Sequence, residues 1–296
     1  MTDIANSKVN KVEIKKRSQL KSVWFRYKKN KMAVAGLILL IILFIIAVSA
    51  PLIVPYEKVV EQSMKHRFIK PSSEYWFGTD EYGRDMFARI IWGARYSLSL
   101  GVGSIIISLI FGALVGAVSG YYGGRIDSTI MRLMDVLLAI PQTLMAICIV
   151  AALGQGVFNL LVAMSASTVP KFVRIVRSSV ISLKGEEYIE AARACGTGDF
   201  RIIYKHVLPN VIGPIIVQAT ITMALTVLTI SSLSFIGLGV PTPQPEWGTI
   251  LSDNKAQMRY YPYLTTIPGI AILISVIAMN LIGDGLRDAL DPKLKN

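Results

Sequence analysis

Charged residues are distributed very unevenly along the chain, and the stretches between them are long and apolar. Five stretches contain no Asp, Glu, Lys or Arg: residues 32–56, 96–124, 136–170, 206–245 and 260–283. An α-helix needs about 20 apolar residues to cross the hydrocarbon core of a bilayer. Each stretch is long enough for at least one span, so the pattern predicts an all-α membrane protein.

Two of these stretches are too long for one span. Residues 136–170 would extend about 50 Å as a single helix, well beyond a hydrocarbon core of ~30 Å. Gly154-Gln155-Gly156 interrupts that stretch and favours a hairpin of two spans. Prolines near both ends shorten the stretch 206–245 to one span. The pattern therefore predicts six spans, at residues 33–54, 97–119, 131–153, 157–176, 213–237 and 264–284.

The composition supports a membrane location and suggests an orientation. Hydrophobic residues make up 53% of the chain and charged residues 17%, whereas soluble domains hold about 25% charged residues. With the N-terminus in the cytoplasm, the predicted cytoplasmic segments hold 22 of the 31 Lys and Arg residues. This bias predicts that both termini are cytoplasmic. Because the location of the charges explains the net charge of +12, no nucleic-acid partner is expected.

The first 31 residues form a basic arm. One face of a helix would hold Leu20, Val23, Trp24 and Tyr27. Such a face is typical of an interfacial helix that lies on the inner leaflet of the membrane. A basic tail that only satisfies the positive-inside rule is the alternative. The predicted organisation is an arm (1–31), a first span with an outer loop (32–96), a core with five spans (97–290) and a cytoplasmic tail (291–296).

One long polar segment, residues 186–210, separates two apolar stretches on the predicted cytoplasmic side. Its sequence favours a helix up to Cys195, and Gly196 is placed to end that helix in a left-handed conformation. Asp199 is suited to cap a second short helix, which Pro209 is expected to end. Together these features predict a cytoplasmic helix–turn–helix.

The two helices of this segment would present different surfaces. Alanines on the first helix would allow another surface to approach closely, and its Glu and Arg side chains would offer charged contacts. Phe200, Ile203 and Val207 would form an apolar face on the second helix. A structural helical hairpin without a partner is the alternative interpretation.

Ionisable side chains are sparse in the predicted spans, and motifs for catalysis or metal binding are not found in the sequence. An ion-coupled carrier usually needs charged or polar relays at mid-membrane, and none is seen in the sequence. No G-x-x-x-x-G-K-[ST] phosphate loop occurs, and Cys148 and Cys195 form no C-x-x-C pair. His66 and His206 fall on opposite predicted sides of the membrane. We therefore expect no enzyme activity, no metal site and no cofactor bound by this chain.

Four motifs resemble one transporter family. Glu190-Ala191-Ala192, followed by Gly196 and Leu208-Pro209, resembles the EAA signature of ABC importer permeases. The other three resemble the C-type permeases of the dipeptide/oligopeptide/nickel class, and they are Gly78-Thr79-Asp80 with Gly83-Arg84-Asp85, Glu246-Trp247-Gly248, and the segment 280–292. The resemblance extends over residues 20–293.

The resemblance implies that this chain is a transport subunit and that other subunits supply the energy. The loop 178–210 would be the coupling loop, contacting an ATPase subunit through Glu190, Ala191, Ala192, Gly196, Leu208 and Pro209. A homologous second permease would complete a heterodimeric pore, two ABC ATPase subunits would bind ATP and Mg, and an extracytoplasmic solute-binding protein would deliver the solute. The expected location is a bacterial or archaeal cell membrane. Di- or oligopeptides are the expected substrates, with nickel, metal chelates or glutathione as alternatives.

The outer motifs allow two interpretations. Thr79, Asp80, Arg84 and Asp85 would either form a turn in which Asp80 binds backbone N–H groups, or act directly at the substrate entrance. Glu246-Trp247 would either hold an interfacial anchor or contact a docking protein.

Overall fold

The structure, a computed structural model, describes residues 19–290, and within that range every regular element is a helix or a helical turn. Residues 1–18 of the predicted arm and the predicted tail 291–296 lie outside the described residues. The helices are α1 (Gln19–Lys29), α2 (Lys31–Ile53), α3 (Glu57–Val60), α4 (Met86–Tyr122), α5 (Gly124–Ala139), α6 (Gln142–Leu153), α7 (Val157–Lys184), α8 (Glu187–Ala194), α9 (Asp199–Arg201), α10 (Leu208–Phe235), α11 (Trp247–Asn254) and α12 (Tyr263–Leu290).

Four of the predicted spans correspond to long apolar helices. Among the described residues, α2, α4, α10 with the turn before it, and α12 are long and apolar enough to cross a membrane. A fifth span is counted if α5 and α6 are taken together as one bent unit. By length and composition the count is therefore four or five, and the predicted count of six is not confirmed.

The predicted third span, 131–153, is wrong as a continuous helix. The structure divides it into α5 and α6, which meet at an angle of 88°. The break lies at Ile140-Pro141, where Ile140 is extended (φ −87°, ψ 124°). A residue before proline avoids the helical conformation, and proline has no N–H to donate. With 12 residues, α6 is only about 18 Å long and cannot cross the membrane alone.

The predicted fourth span is a helix, but a less apolar one than the sequence pattern indicated. Helix α7 runs for 28 residues and is not among the four apolar spans of the described region. Asn159, Lys171 and Arg174 lower its hydropathy. The helix continues beyond the predicted end at residue 176 to Lys184 and leads directly into the polar segment.

The most extensive helix–helix contact in the bundle is between α4 and α7, and glycines let the two backbones approach closely. A Cβ at Gly116 would lie 2.6 Å from the Val173 carbonyl oxygen, and one at Gly120 would lie 2.9 Å from the Arg177 carbonyl oxygen. Gly112 faces Phe172 in the same way. In a membrane, helices associate through such close packing. The glycines at 112, 116 and 120 therefore let α4 and α7 approach closely.

Helix α1 packs partly against the protein. The Tyr27 side chain is buried, and its hydroxyl donates to the Ala33 carbonyl at 2.9 Å. Trp24 stacks on Tyr27 but remains 49% exposed. The apolar face predicted for lipid contact is therefore shared between α12 and the surface.

We expect cysteine labelling to place α8 inside and both outer loops outside. In chains lacking Cys148 and Cys195, Ser72→Cys and Met258→Cys should react with a membrane-impermeant maleimide in intact cells. In a third chain, which lacks only Cys148, native Cys195 is exposed in the structure and should react only after permeabilisation. The chain without cysteines is the control, and a reversed result at any of the three positions would contradict the charge-based orientation.

Candidate functional site

The predicted turn at Gly196 is present in the structure. Helix α8 ends at Ala194, and Gly196 has φ +76°. The N–H of Gly196 donates to the Arg193 carbonyl at 2.8 Å, and the N–H of Thr197 donates to the Ala192 carbonyl at 3.0 Å. Glycine favours this left-handed conformation because it lacks a Cβ. The left-handed helix end predicted for Gly196 is confirmed.

The second half of the segment differs from the prediction. Gly198, not Asp199, is the N-cap residue of α9, and the Asp199 carboxylate binds a side chain of another helix instead. Pro209 does not end a helix, because a π-helical turn over 202–207 leads directly into α10 and Pro209 lies in the first turn of that helix. Proline fits there because its ring fixes φ at about −65°, which is the helical value, and it is common in the first turn of helices.

The segment buries one set of apolar side chains and exposes another. Ile189, Ile202 and Val207 are fully buried against α4, α7 and α10. Phe200, predicted to share a face with Val207, is 82% exposed, and Tyr204 is 69% exposed. Their rings stack at 6.4 Å. The predicted apolar face is therefore wrong at Phe200, because the π-helical turn rotates Val207 inward.

The residues of the EAA-like motif lie mainly on the surface of this segment. Glu190, Ala191, Gly196 and Pro209 are exposed, while Ala192 and Leu208 are half-buried. The structure brings them onto one compact unit, formed by α8, α9 and the start of α10.

Tyr121, at the end of α4, connects this unit to the bundle. Its hydroxyl donates to Asp199 Oδ1 at 2.6 Å and accepts from Arg193 Nε at 3.3 Å. The hydrogen bond to Tyr121 is the largest of the interactions that raise the pKa of Arg193. The Tyr121 side chain is 3% exposed. One buried hydroxyl therefore joins α8, α9 and α4.

At the other end of α4, a cluster of four charged residues lies in the interior. Asp80 accepts from Arg84 Nε at 2.6 Å and from Arg89 Nη1 at 2.8 Å. Both arginines also donate to Asp253 Oδ2 at 3.2 Å. Asp80, Arg84 and Arg89 are at most 2% exposed. With two positive and two negative charges, this cluster is neutral as a whole, and it is called the outer cluster below because it lies on the predicted outer side.

Asp80 also organises the turn that precedes α4. Its Oδ1 accepts from the backbone N–H groups of Tyr82 and Arg84 at 2.9 and 3.0 Å. The turn interpretation of this motif therefore agrees with the structure. Thr79 is fully buried, accepts from the Ile69 N–H and donates to the His66 carbonyl.

Asp85 caps the start of α4. Its Oδ1 accepts from the Phe87 N–H at 2.9 Å. Burial raises the pKa of Asp85, while hydrogen bonds from the Phe87 and Ala88 backbone act in the opposite direction. Asp85 therefore stabilises the first turn of the longest helix.

Glu246 and Trp247 lie in the interior and not at the surface. Glu246 caps α11 through the Thr249 N–H at 2.9 Å and accepts from Ser97 Oγ at 3.0 Å. Trp247 is 1% exposed, and its Nε1 donates to the Ile90 carbonyl at 3.1 Å. An interfacial anchor or a docking contact would need an exposed side chain, so in this structure both residues instead connect α11 to α4.

Sequence reasoning did not find three residues of these sites. Arg89 and Asp253 complete the outer cluster although 164 residues separate them. Tyr121 lies at the end of an apolar stretch and belongs to none of the motifs. Arg89 carried a usable signal, because a charged residue at the start of a membrane helix needs a partner. Among residues 19–290, no three His, Cys, Asp or Glu side chains are grouped to hold a metal ion.

Comparison with protein families identifies the chain. The family described as "Binding-protein-dependent transport system inner membrane component" matches residues 108–296. A second, described as "N-terminal TM domain of oligopeptide transport permease C", matches residues 18–71. The chain belongs to this permease family. The resemblance inferred from the four motifs is confirmed.

Relatives extend over nearly the full permease chain. A dipeptide transport system permease protein, DppC, of Alkalihalophilus pseudofirmus is 48% identical over 269 residues, covering 91% of this chain and 88% of the relative. The oligopeptide permease OppC of Bacillus subtilis is 39% identical, with 96% and 93% covered. The glutathione permease GsiD of Pectobacterium atrosepticum is 40% identical, with 95% and 93% covered.

A solved transporter structure shares the permease fold. A chain of the MetNI methionine ABC transporter, in inward-facing conformations, superposes with a TM-score of 0.55 at 20% identity. The match covers 70% of this chain and 98% of that chain. At this identity the likeness shows the fold alone.

We predict that Asp80→Ala destabilises the permease. The substitution leaves two buried arginines with one carboxylate, and breaking a buried ion pair costs about 3–5 kcal/mol. The apparent melting temperature of the purified transporter should fall by on the order of 10 °C. Glu81→Ala, which changes the adjacent half-buried carboxylate, is the matched control. Equal melting temperatures for the two variants would contradict a stabilising role for the cluster.

Proposed function

We propose that this chain is one of two permease subunits of an ATP-driven importer that moves di- or oligopeptides across a cell membrane. The observation that carries the proposal is the 48% identity to a dipeptide permease over 91% of the chain. The oligopeptide relative supports the same substrate class at nearly full coverage. The four-motif pattern provides independent support from the sequence.

The proposed mechanism assigns no covalent chemistry to this chain. Two ATPase subunits bind ATP and Mg and close on each other, and a second permease completes the pore. Closure moves the segment α8–α9, and the permease pair alternates between outward and inward faces. A solute-binding protein delivers the peptide from outside.

The contact with an ATPase is assigned to the exposed part of the polar segment. Glu190, Ala191, Ala192, Gly196, Leu208 and Pro209 form the proposed coupling surface. The exposed Phe200 and Tyr204 rings, 82% and 69% accessible, extend that surface. Exposed aromatic side chains of this size are typical of protein contacts, and the segment lies on the predicted cytoplasmic side.

For the outer motif, we propose a positioning role. Thr79, Asp80, Arg84 and Asp85 are bound within the chain, and they hold the loop before α4 against α11. Glu246 and Trp247 fix α11 to α4 from the other side. These residues thereby shape the outer end of the permease without contacting the solute.

Glutathione is the second candidate substrate, because a glutathione permease is 40% identical to the chain over 280 residues. The two substrates are distinguished by uptake into proteoliposomes that contain the complete transporter and its binding protein. We expect ATP-dependent uptake of radiolabelled alanyl-alanine that excess unlabelled dipeptide abolishes and excess glutathione leaves unchanged. Uptake of labelled glutathione, or of nickel, without dipeptide uptake would contradict the peptide assignment.

We predict that Gly196→Arg uncouples the permease from its ATPases. The backbone at Gly196 has φ +76°, so any side chain strains the turn, although no atom lies within 4 Å of the added Cβ. In the proposed contact the guanidinium would be buried without a partner, which should weaken docking by a factor on the order of 100. The variant should reach the membrane in normal amounts but recover little ATPase on purification.

The matched control for this experiment is Gly185→Arg. Gly185 has φ −90°, and open space surrounds it in the same way. It lies before α8, outside the proposed coupling surface. If Gly196→Arg recovers as much ATPase as Gly185→Arg and imports normally, the coupling assignment is wrong. Glu190→Ala should have a milder effect, since an exposed charge contact contributes ~1 kcal/mol or less.

A further inference from the structure

The Tyr121 hydroxyl lies between the helix bundle and the polar segment 186–210, which is called the coupling segment below. Tyr121 is the penultimate residue of α4, a helix of 37 residues that extends about 55 Å. It is buried in the apolar cluster that also contains Ile189 of α8 and Ile202, which follows α9. Any motion of the segment relative to α4 must therefore change the packing around Tyr121.

Apolar packing alone would hold the segment loosely in orientation, because hydrophobic contact is not directional. The Tyr121 hydroxyl adds two directional bonds, one on each side of the Gly196 turn. It donates to Asp199 at 2.6 Å and accepts from Arg193 at 3.3 Å. Both partners are charged, and hydrogen bonds to charged groups are the stronger ones. The turn is thus fixed to α4 at two points.

The ring of Tyr121 makes further contacts with the same unit. The Arg193 guanidinium carbon lies 5.0 Å from the ring centroid, and Lys184 Nζ at the end of α7 lies 5.9 Å from it. Such distances fall within the range of cation–π attraction. One side chain therefore contacts three consecutive elements, namely the end of α7, α8 and α9.

The opposite end of α4 is held as firmly. Asp85 caps its first turn, and Arg89 joins the buried cluster with Asp80 and Asp253. A displacement applied at Tyr121 is therefore carried along a helix whose far end belongs to the outer cluster. Close packing at Gly112, Gly116 and Gly120 joins α4 to α7 between these two ends.

We infer that Tyr121 is the positioning residue through which the coupling segment and α4 move together. The inference rests on the proposed function, because it assumes that an ATPase subunit contacts the segment. Tyr121 itself is buried and does not belong to the proposed docking surface. Its hydroxyl transmits movement, and the exposed residues around Gly196 provide the contact.

The test uses the complete transporter reconstituted in liposomes. The measured quantity is the ratio of ATP hydrolysis with and without its purified solute-binding protein, added together with alanyl-alanine. In the proposed transporter the binding protein and the ATPases lie on opposite sides of the membrane, so this stimulation depends on the permease between them. For Tyr121→Phe we expect the stimulation to fall by about tenfold, because two hydrogen bonds to charged groups are lost while the ring packing is kept.

The matched control is Tyr122→Phe. Tyr122 is the adjacent residue, is 49% exposed, and its hydroxyl makes no hydrogen bond with the described residues. This variant should be stimulated like wild type. Both variants should be present in the membrane in equal amounts and should recover equal amounts of ATPase, which separates loss of transmission from loss of folding or docking.

A double-mutant cycle makes the test specific to this contact. Asp199→Ala alone should reduce stimulation. Adding Asp199→Ala to Tyr121→Phe should reduce it little below the level of Tyr121→Phe alone, since Tyr121→Phe already removes the bond to Asp199. Asp199→Glu, which keeps the acceptor, should restore part of the stimulation. Wild-type stimulation in Tyr121→Phe, or additive losses in the double variant, would overturn the inference. Absence of stimulation in the wild-type transporter would instead contradict the proposed function.

Discussion

Close contact between α4 and α7 is the constraint on which the rest of the structure depends. Lipid is as apolar as a leucine side chain, so burial alone does not drive two helices together in a bilayer, and close packing must supply the attraction. Glycines at 112, 116 and 120 let the α4 backbone approach Phe172, Val173 and Arg177. Once these two helices are joined, the polar groups at each end of α4 lie at fixed separations. The outer cluster and the Tyr121 contact both depend on that rigidity.

Much of the fold could be predicted from the distribution of charge. The charge-free stretches located α2, α10 and α12 because a helix in lipid must be apolar along its length. The bend at Pro141 was missed, since a proline inside an apolar run leaves the hydropathy unchanged while it breaks the backbone. The polar character of α7 was underestimated for a related reason, because Lys171 and Arg174 lie beyond the apolar run that marked the span.

The sites were predictable where their geometry is local. Gly196 and Asp80 act on backbone groups a few residues away, so their neighbours in sequence indicate their roles. Asp253 completes the outer cluster from another helix, and nothing near it in the sequence indicates that partner. Trp247 shows a second limit. An indole is common both at membrane interfaces and in cores, and only the packing against Gly93 distinguishes the two.

The outer cluster also has a consequence for the order of biosynthesis. Asp80, Arg84 and Arg89 are made within ten residues of one another, so the first carboxylate can neutralise one arginine as soon as this segment emerges. Asp253 follows Arg89 by 164 residues. At 5–20 residues per second, the fourth charge arrives about 10–30 s later. During that interval the cluster carries an excess positive charge, which opposes burial of Arg89. The pairing of Arg89 with Asp253 therefore forms only after α11 has been synthesised.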